Sequence, residues 1–181
     1  DEVNTLHTNS SCFPNKHLTK YLQATSDIND IVHASIILIA LPSKVIIENL
    51  RMIAPSLKDN VLLINLSKGL LSEGITIVES IYKELGINNV ATLKGPSFAV
   101  EIMEHADTLL TFGSPKIEHY DIMSSIIKGT ALHIDYTTDI RGVELLSVLK
   151  NVYALVIGVV DAKYNSANTR FMILTKAFTE I

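Results

Sequence analysis

The sequence predicts an α/β fold: a doubly wound parallel sheet followed by the beginning of an all-α domain. First, short aliphatic and β-branched runs alternate with helical patterns from about residue 21 to residue 136. Second, this alternation favours parallel strands joined by right-handed crossovers. Third, the pattern becomes wholly helical after Thr138. The length of 181 residues, 48% of them hydrophobic, is enough for one domain and the start of another.

Five compact apolar runs bounded by turn residues are predicted as strands. They cover residues 35–41, 61–66, 90–93, 108–112 and 131–136. The first run, SIILIAL, ends at Pro42 and is predicted to be buried on both faces, as strands inside a parallel sheet are.

Helical periodicity connects these strands and then continues to the end of the chain. The predicted helices cover a segment capped by Ser43 and residues 73–85, 98–103, 114–128, 139–162 and 166 onward. The change from alternation to continuous helix divides the chain into residues 1–138 and residues 139–181. The first part is predicted as a partial dinucleotide-binding domain and the second as the beginning of a helical substrate-binding domain.

Composition excludes several classes of function. A net charge of −4 gives no basic footprint for nucleic acid. Cys12 is the only cysteine, which excludes a disulfide framework and fits a cytoplasmic location. The six histidines are scattered and never four residues apart, so no metal site is predicted. The apolar stretch 143–160 is interrupted by Lys150 and Asn151, so a buried helix is predicted there and not a membrane span.

Polar residues follow three of the predicted strands, where open α/β sheets bind their ligands. The first such group, Pro42-Ser43, has the pattern of an ordinary strand-to-helix turn. Lys68, in Ser67-Lys68-Gly69, could hold a phosphate or polarise a carbonyl group, although a solvated loop lysine would occupy the same position. Gly95 begins a turn that leads to Ser97, a candidate helix N-cap. A helix N-terminus there would favour an anion, although a plain capped helix has the same pattern.

Lys150 lies within the apolar helix RGVELLSVLKNVYALVIG. Apolar residues surround it on the helical wheel, so the sequence predicts a buried ammonium group. Burial would lower its pKa toward neutrality and let it transfer a proton near pH 7, as alcohol–ketone redox chemistry requires. The alternative is a lysine that extends to the rim of the protein.

Taken together, these motifs resemble the bacterial type of NAD(P)-dependent glycerol-3-phosphate dehydrogenase. The matching pieces occur in the order and spacing of that family and cover nearly the whole chain from about Phe13. They read LQATSD, ILIALPS, NLSKGL, KGPSFAVE, GVELLSVLKNVYALVIG and NSANTRFMILTKAFTEI.

The resemblance implies interconversion of sn-glycerol 3-phosphate and dihydroxyacetone phosphate with NAD or NADP, which supplies glycerol phosphate for phospholipid synthesis. It implies that Lys150 accepts the proton of the substrate hydroxyl and that Lys68 contacts both substrate and cofactor. Gly95 and Ser97 match substrate-binding positions, and Ala99 matches a cofactor-binding position. The sequence does not choose between NAD and NADP. A ketopantoate-type reductase and a non-catalytic module for ligand binding or oligomerisation stay open as alternatives.

The chain also departs from that family. It has Leu146, Ser147 and Val148 where the family has small residues and glycine. It contains no G-x-G-x-x-G loop, and its first glycine is Gly69. We therefore expect an incomplete Rossmann-like sheet without its first strands, a chain cut short at both ends, and weak or no activity for these residues alone. An unfinished helical domain makes a homodimer an expectation as well.

Overall fold

The computed structural model describes residues 2–180, apart from the side chain of residue 72. Within these residues the strands are β1 Ile36–Ile39, β2 Leu62–Asn65, β3 Val90–Lys94, β4 Thr108–Gly113 and β5 Leu132–Thr137. They form one sheet in the order β1-β2-β3-β4-β5. All five predicted strands are confirmed, with ends that differ by at most two residues.

Helices connect the strands and close the chain. In residues 2–180 they are α1 Glu2–Leu6, α2 Ser43–Ile53, α3 Ile77–Leu85, α4 Ala99–Met103, α5 Ile117–Ile127, α6 Ile140–Tyr164 and α7 Ala167–Glu180. Short 3₁₀ helices span Ile28–Ile31, Ala54–Ser56 and Ser72–Gly74. The α/β class followed by helices is therefore confirmed.

The sheet differs from the prediction in one pairing. β1, β2 and β3 are parallel to one another, and β4 is parallel to β5. β3 and β4 are antiparallel, with Lys94 opposite Thr111. The chain between them contains only the five-residue helix α4. An antiparallel neighbour needs only a reversal of the chain, whereas a parallel neighbour needs a crossover along the length of the sheet.

Apolar residues pack on both faces of the sheet. On one face, β1–β3 pack against α2 and α3 through residues that include Ile46, Leu63 and Ile81, all 0% exposed. On the other face, β2–β4 pack against α5 through residues that include Phe112 and Met123. Full burial of each such side chain contributes about 1.5–3 kcal/mol to stability.

The strand β1 is buried on one face only, contrary to the prediction. Ile37 and Ile39 are 8% and 3% exposed, whereas Leu38 between them is 53% exposed. β1 is the edge strand of the described sheet, and the packing of Ile37 and Ile39 belongs to the α2–α3 face.

The helix α3 begins four residues later than predicted. Thr76 forms a capping box with Glu79, in which each side chain bonds to the backbone N–H of the other. Just before it, Glu73 and Gly74 adopt positive φ of 62° and 72°, which a helix cannot continue through.

The first turns of α6 pack on the sheet, whereas the rest of the helix is largely exposed. Asp139 caps α6 by accepting a hydrogen bond of 2.8 Å from the Gly142 amide. In the described part of α6, the buried residues are Val143, Glu144 and Ser147. By length and composition, with a mean hydropathy of 1.8, α6 could cross a membrane. One such helix is weak evidence by itself. Of its apolar window 11% is buried, so the burial predicted for residues 143–160 holds only in the first turns of α6.

Candidate active site

One cavity joins three of the residues singled out from the sequence: Lys68, Gly95 and Lys150. It has a volume of about 180 Å³ and lies where the carboxyl ends of β2 and β3 meet α6. Its lining is completed by Lys94, Pro96, Thr111, Val143, Leu146 and Ser147. A larger cleft of about 540 Å³ lies near the amino end of β3, and none of the predicted site residues lines it.

Lys68 stands on the loop directly after β2, and its side chain is exposed. The residues before it are held firmly: Ser67 Oγ donates to the carbonyl oxygen of Leu41 at 2.6 Å, and the Ser67 amide donates to Asn65 Oδ1 at 2.9 Å. At Gly69, where φ is +149°, an added Cβ would lie 2.7 Å from Ser43 Oγ. The loops after β1 and β2 therefore pack against each other and present Lys68 at the cavity. Ser43 is the first residue of α2, and Pro42 takes the N-cap position predicted for it.

Gly95 follows β3 and packs against β4. A Cβ at this position would lie 2.9 Å from the Leu109 carbonyl oxygen and 2.8 Å from a Leu110 methyl group. The absence of a side chain lets the turn at Gly95 lie directly on the neighbouring strand. Close packing therefore explains why residue 95 is glycine. The sequence pattern alone did not distinguish this reason from the approach of a ligand to the backbone.

Lys150 lines the cavity from α6, on the same helical face as Val143 and Ser147. Its side chain is exposed, so the predicted burial of this lysine is wrong. Neighbours along a helix do not decide burial. The apolar residues after Lys150, such as Leu155 at 73% and Val159 at 66%, are themselves exposed.

Ser97 and Ala99 do not belong to the lining of this cavity, and both are exposed. The expectation that Ser97 caps a helix is wrong. Phe98 occupies the N-cap position of α4 without a side-chain bond, and α4 has only five residues. Ser97 precedes that position by one residue, so its hydroxyl cannot take the capping role.

The buried lysine of the cavity is Lys94, which the sequence patterns did not single out. Lys94, the last residue of β3, is 6% exposed. Its Nζ donates to the carbonyl oxygens of Asn65 at 3.0 Å and Ser67 at 2.6 Å. Burial lowers the pKa of Lys94 to about 8; Glu144 opposes this shift and Lys68 adds to it.

The partner of Lys94 is Glu144, which was also missed. Glu144 Oε1 lies 3.9 Å from Lys94 Nζ, and Glu144 is 2% exposed. Its carboxylate accepts hydrogen bonds from the side-chain amide Nδ2 of Asn65 and from the backbone N–H of Val78, the latter at 3.0 Å. Thr92 Oγ1 lies 3.1 Å from the same carboxylate.

A signal for this cluster was present in the sequence. Asn65 and Lys94 end two otherwise apolar strands, and Thr92 lies in the middle of the second one. Asn65 and Thr92 are 0% exposed, and such buried polar groups need partners. Because β3 was predicted to end at residue 93, Lys94 was left outside the predicted strand.

The arrangement suits a small anionic ligand. Lysines on three separate segments border the cavity, while Pro96, Val143 and Leu146 give it apolar walls. Its volume is smaller than the roughly 300–1,000 Å³ of pockets for drug-sized ligands. Ammonium groups can hold a phosphate and exchange protons with a hydroxyl group.

Comparison with known proteins decides the family. A family model described as NAD-dependent glycerol-3-phosphate dehydrogenase N-terminus matches residues 1–120. The corresponding C-terminus model matches residues 139–181. The chain belongs to the NAD-dependent glycerol-3-phosphate dehydrogenase family.

Individual members of the glycerol-3-phosphate dehydrogenase family match along the whole chain. The NAD(P)+ enzyme of Lysinibacillus sphaericus is 30% identical, over 100% of this chain and 55% of its own length. That of Orientia tsutsugamushi is 31% identical, over 99% of this chain and 55% of its own length. The chain thus spans about half the length of the curated relatives it matches.

Solved structures of this family have the same fold. The crystal structure of glycerol-3-phosphate dehydrogenase from Coxiella burnetii matches with a TM-score of 0.89 at 25% identity. The match covers 99% of this chain and 55% of that one. The Dunaliella salina enzyme gives a TM-score of 0.89 at 23% identity, which is a likeness of fold. It covers 99% of this chain and 32% of that one.

Proposed function

We propose that the protein carrying this chain interconverts sn-glycerol 3-phosphate and dihydroxyacetone phosphate with NAD or NADP. The observation that supports this most strongly is the single cavity shared by Lys68, Gly95 and Lys150. These residues lie on three segments far apart in the chain, yet they are three of the five that the family resemblance assigns to the site. In this proposal the protein works in the cytoplasm and supplies glycerol phosphate for phospholipid synthesis.

The lining of the cavity suits a three-carbon phosphate next to the nicotinamide end of the cofactor. Lys68 supplies positive charge toward the phosphate, and Pro96 and Leu146 supply apolar surface for an uncharged ring. In the proposal, Lys68 contacts both ligands and Gly95 binds substrate. Ser97 and Ala99 lie outside the lining of this cavity and keep only the substrate and cofactor roles that the resemblance implies. The nicotinamide, when bound, accepts or supplies the hydride.

The proton is assigned to Lys150. In the direction of oxidation, Lys150 would accept the proton of the substrate hydroxyl while hydride passes from the same carbon to the nicotinamide, giving a ketone. In the direction of reduction, its ammonium group returns that proton to the carbonyl oxygen. Exposure of Lys150 at the cavity suits this role, because the amine must reach a bound substrate.

The test uses the protein encoded by the complete reading frame that contains this chain. We expect oxidation of NADH or NADPH that depends on dihydroxyacetone phosphate, and little oxidation with ketopantoate. Lys150→Met is expected to lower kcat by about 100-fold or more, as loss of a proton-transfer group does. The matched control is Lys163→Met, an exposed lysine on the same helix outside the cavity.

Two outcomes would contradict the proposal. Preference for ketopantoate would assign the site to the related class of reductase. Absence of turnover, while binding of dihydroxyacetone phosphate and nicotinamide cofactor is measured directly, would indicate a non-catalytic binding module.

A further inference from the structure

The side chain of Lys94 holds the segment that leads to Lys68. Its Nζ donates to the carbonyl oxygen of Asn65 and to that of Ser67, at 3.0 Å and 2.6 Å. Ser67 immediately precedes Lys68, so this lysine fixes the backbone at the base of the loop. Asn65 Nδ2 also lies 3.3 Å from the Ser67 carbonyl oxygen, which closes the loop on itself.

The same Nζ is linked to the helix that carries Lys150. It lies 3.9 Å from Oε1 of Glu144, which stands on α6 and is buried against the sheet. Through Lys94, the ends of β2 and β3 and the first turns of α6 are connected by hydrogen bonds and one ion pair. These three segments also form the walls of the cavity.

Stability alone does not explain a lysine at this position. Burial of an ammonium group costs free energy, and a well-packed apolar side chain is often as stabilising as a buried ion pair. The pKa of Lys94, lowered by burial to about 8, reflects that cost. What the lysine adds is directional N–H donors at a fixed point between two strands.

We propose that Lys94 is a positioning residue that fixes the loop of residues 66–70, so that Lys68 is held at the cavity. This inference rests on the proposed function in one respect, namely that Lys68 binds substrate and cofactor. The fixing of the loop itself does not depend on the reaction.

The first experiment measures amide hydrogen exchange in the protein from the complete reading frame. Lys94→Met removes the N–H donors and the charge while keeping most of the side-chain volume. We expect peptides covering residues 66–70 to exchange about tenfold faster, because local opening becomes easier. Peptides covering β5 should not change. The matched control is Lys58→Met, another lysine that donates to a carbonyl oxygen, that of His33, but is exposed and far from the cavity.

The second experiment is a double-mutant cycle on turnover. We expect Lys94→Met to lower kcat/KM by about 10- to 100-fold, the range for a misplaced group at a reacting centre. If Lys94 acts through Lys68, then in a Lys68→Ala background the same substitution should cost about twofold or less. A purely structural lysine would give the same loss in both backgrounds. Lys94→Gln, which keeps an amide donor, replaces Lys94→Met if that variant does not fold.

The outcomes separate the two proposals. Unchanged exchange in residues 66–70 of the folded variant, or additive losses in the cycle, would overturn the role of Lys94. A Lys68→Ala variant with normal kinetics would instead remove Lys68 from the site and contradict the proposed function. If the protein shows no turnover at all, the exchange measurement still decides whether Lys94 fixes the loop.

Discussion

Single residues in the polar layer between the sheet and α6 set the charge balance of the candidate site. Lys94 and Glu144 are 6% and 2% exposed, so both are removed from water almost completely. Lys94 donates hydrogen bonds to neighbouring backbone carbonyl groups, and the Glu144 carboxylate accepts them from neighbouring backbone and side-chain groups. A buried pair of this kind is sensitive to pH and to loss of either partner.

Stability should rise with pH in alkaline solution because of Lys94. Its pKa is about 8 in the folded chain, against an ordinary value of 10.5. Between these values the unfolded chain binds more protons than the folded one, so raising the pH favours folding. The gain across the window is on the order of 3 kcal/mol.

Chemical denaturation of wild type and Lys94→Met at about pH 7 and about pH 10 measures this gain. The difference between the two proteins isolates Lys94 from the other groups that titrate in alkali. An equal pH response in both proteins would contradict the lowered pKa.

Glu144→Gln should destabilise the chain strongly although the shape of the side chain hardly changes. The carboxylate accepts from the Val78 amide and from the Asn65 side chain, and an amide NH₂ group would face one of these donors. We expect a loss of roughly 2–4 kcal/mol in the free energy of unfolding.

The control for this substitution is Glu84→Gln. Glu84 pairs with Arg51 at 2.9 Å, but the two side chains are 44% and 61% exposed. Exposed pairs contribute about 0–1 kcal/mol. A loss for Glu144→Gln no larger than that for Glu84→Gln would show that the hydrogen bonds to the buried Glu144 carboxylate do not contribute the expected stability.

At the scale of elements, α6 has two different parts. Its first turns are capped by Asp139 and packed on the sheet, whereas its later turns are exposed. Gly142 lies in the first, packed part of α6, and Gly158 lies in the later, exposed part. A Cβ at Gly142 would lie 2.2 Å from Asp139 Oδ2, while nothing lies within 4 Å of a Cβ at Gly158.

The same substitution should therefore have opposite effects at the two ends of α6. Gly158→Ala is expected to stabilise the chain by about 0.5–1 kcal/mol, because alanine loses less backbone entropy in a helix. Gly142→Ala is expected to destabilise it by about 1 kcal/mol, because the new methyl group displaces the capping carboxylate. Thermal and chemical unfolding of the two variants test this pair. A destabilising Gly158→Ala would mean that the exposed turns of α6 are covered in the protein under test.

At the scale of the whole molecule, the sheet and α6 form the walls of the candidate site. The chain covers about half the length of its curated relatives. Lys68, Gly95 and Lys150 line a cavity here, but the sequence contains no G-x-G-x-x-G loop to hold a pyrophosphate.

We therefore expect the 181 residues in isolation to show weak or no reduction of dihydroxyacetone phosphate. The protein from the complete reading frame, assayed in parallel with NADH and with NADPH, is the comparison. Saturable turnover by the 181 residues at the rate of that protein would contradict this expectation.

The sequence by itself determined the α/β class, the five strands, the long helix α6 and the family. Each of these depends on local periodicity or on motifs a few residues long, such as SKG and KGPSFA. Lys68 and Gly95 could be singled out for the same reason, since each follows directly after an apolar strand. The roles assigned to them, and to Ser97, Ala99 and Lys150, stay predictions.

Only the tertiary structure decided which lysine is buried. Lys150 lies among apolar neighbours in the sequence but is exposed, whereas Lys94 points between two strands toward Asn65, Ser67 and Glu144. Asn65 and Glu144 meet although 79 residues separate them. Burial and hydrogen bonding arise from contacts between distant elements, and so does the antiparallel pairing of β3 with β4. A pattern read along one segment contains no information on which other segment covers it.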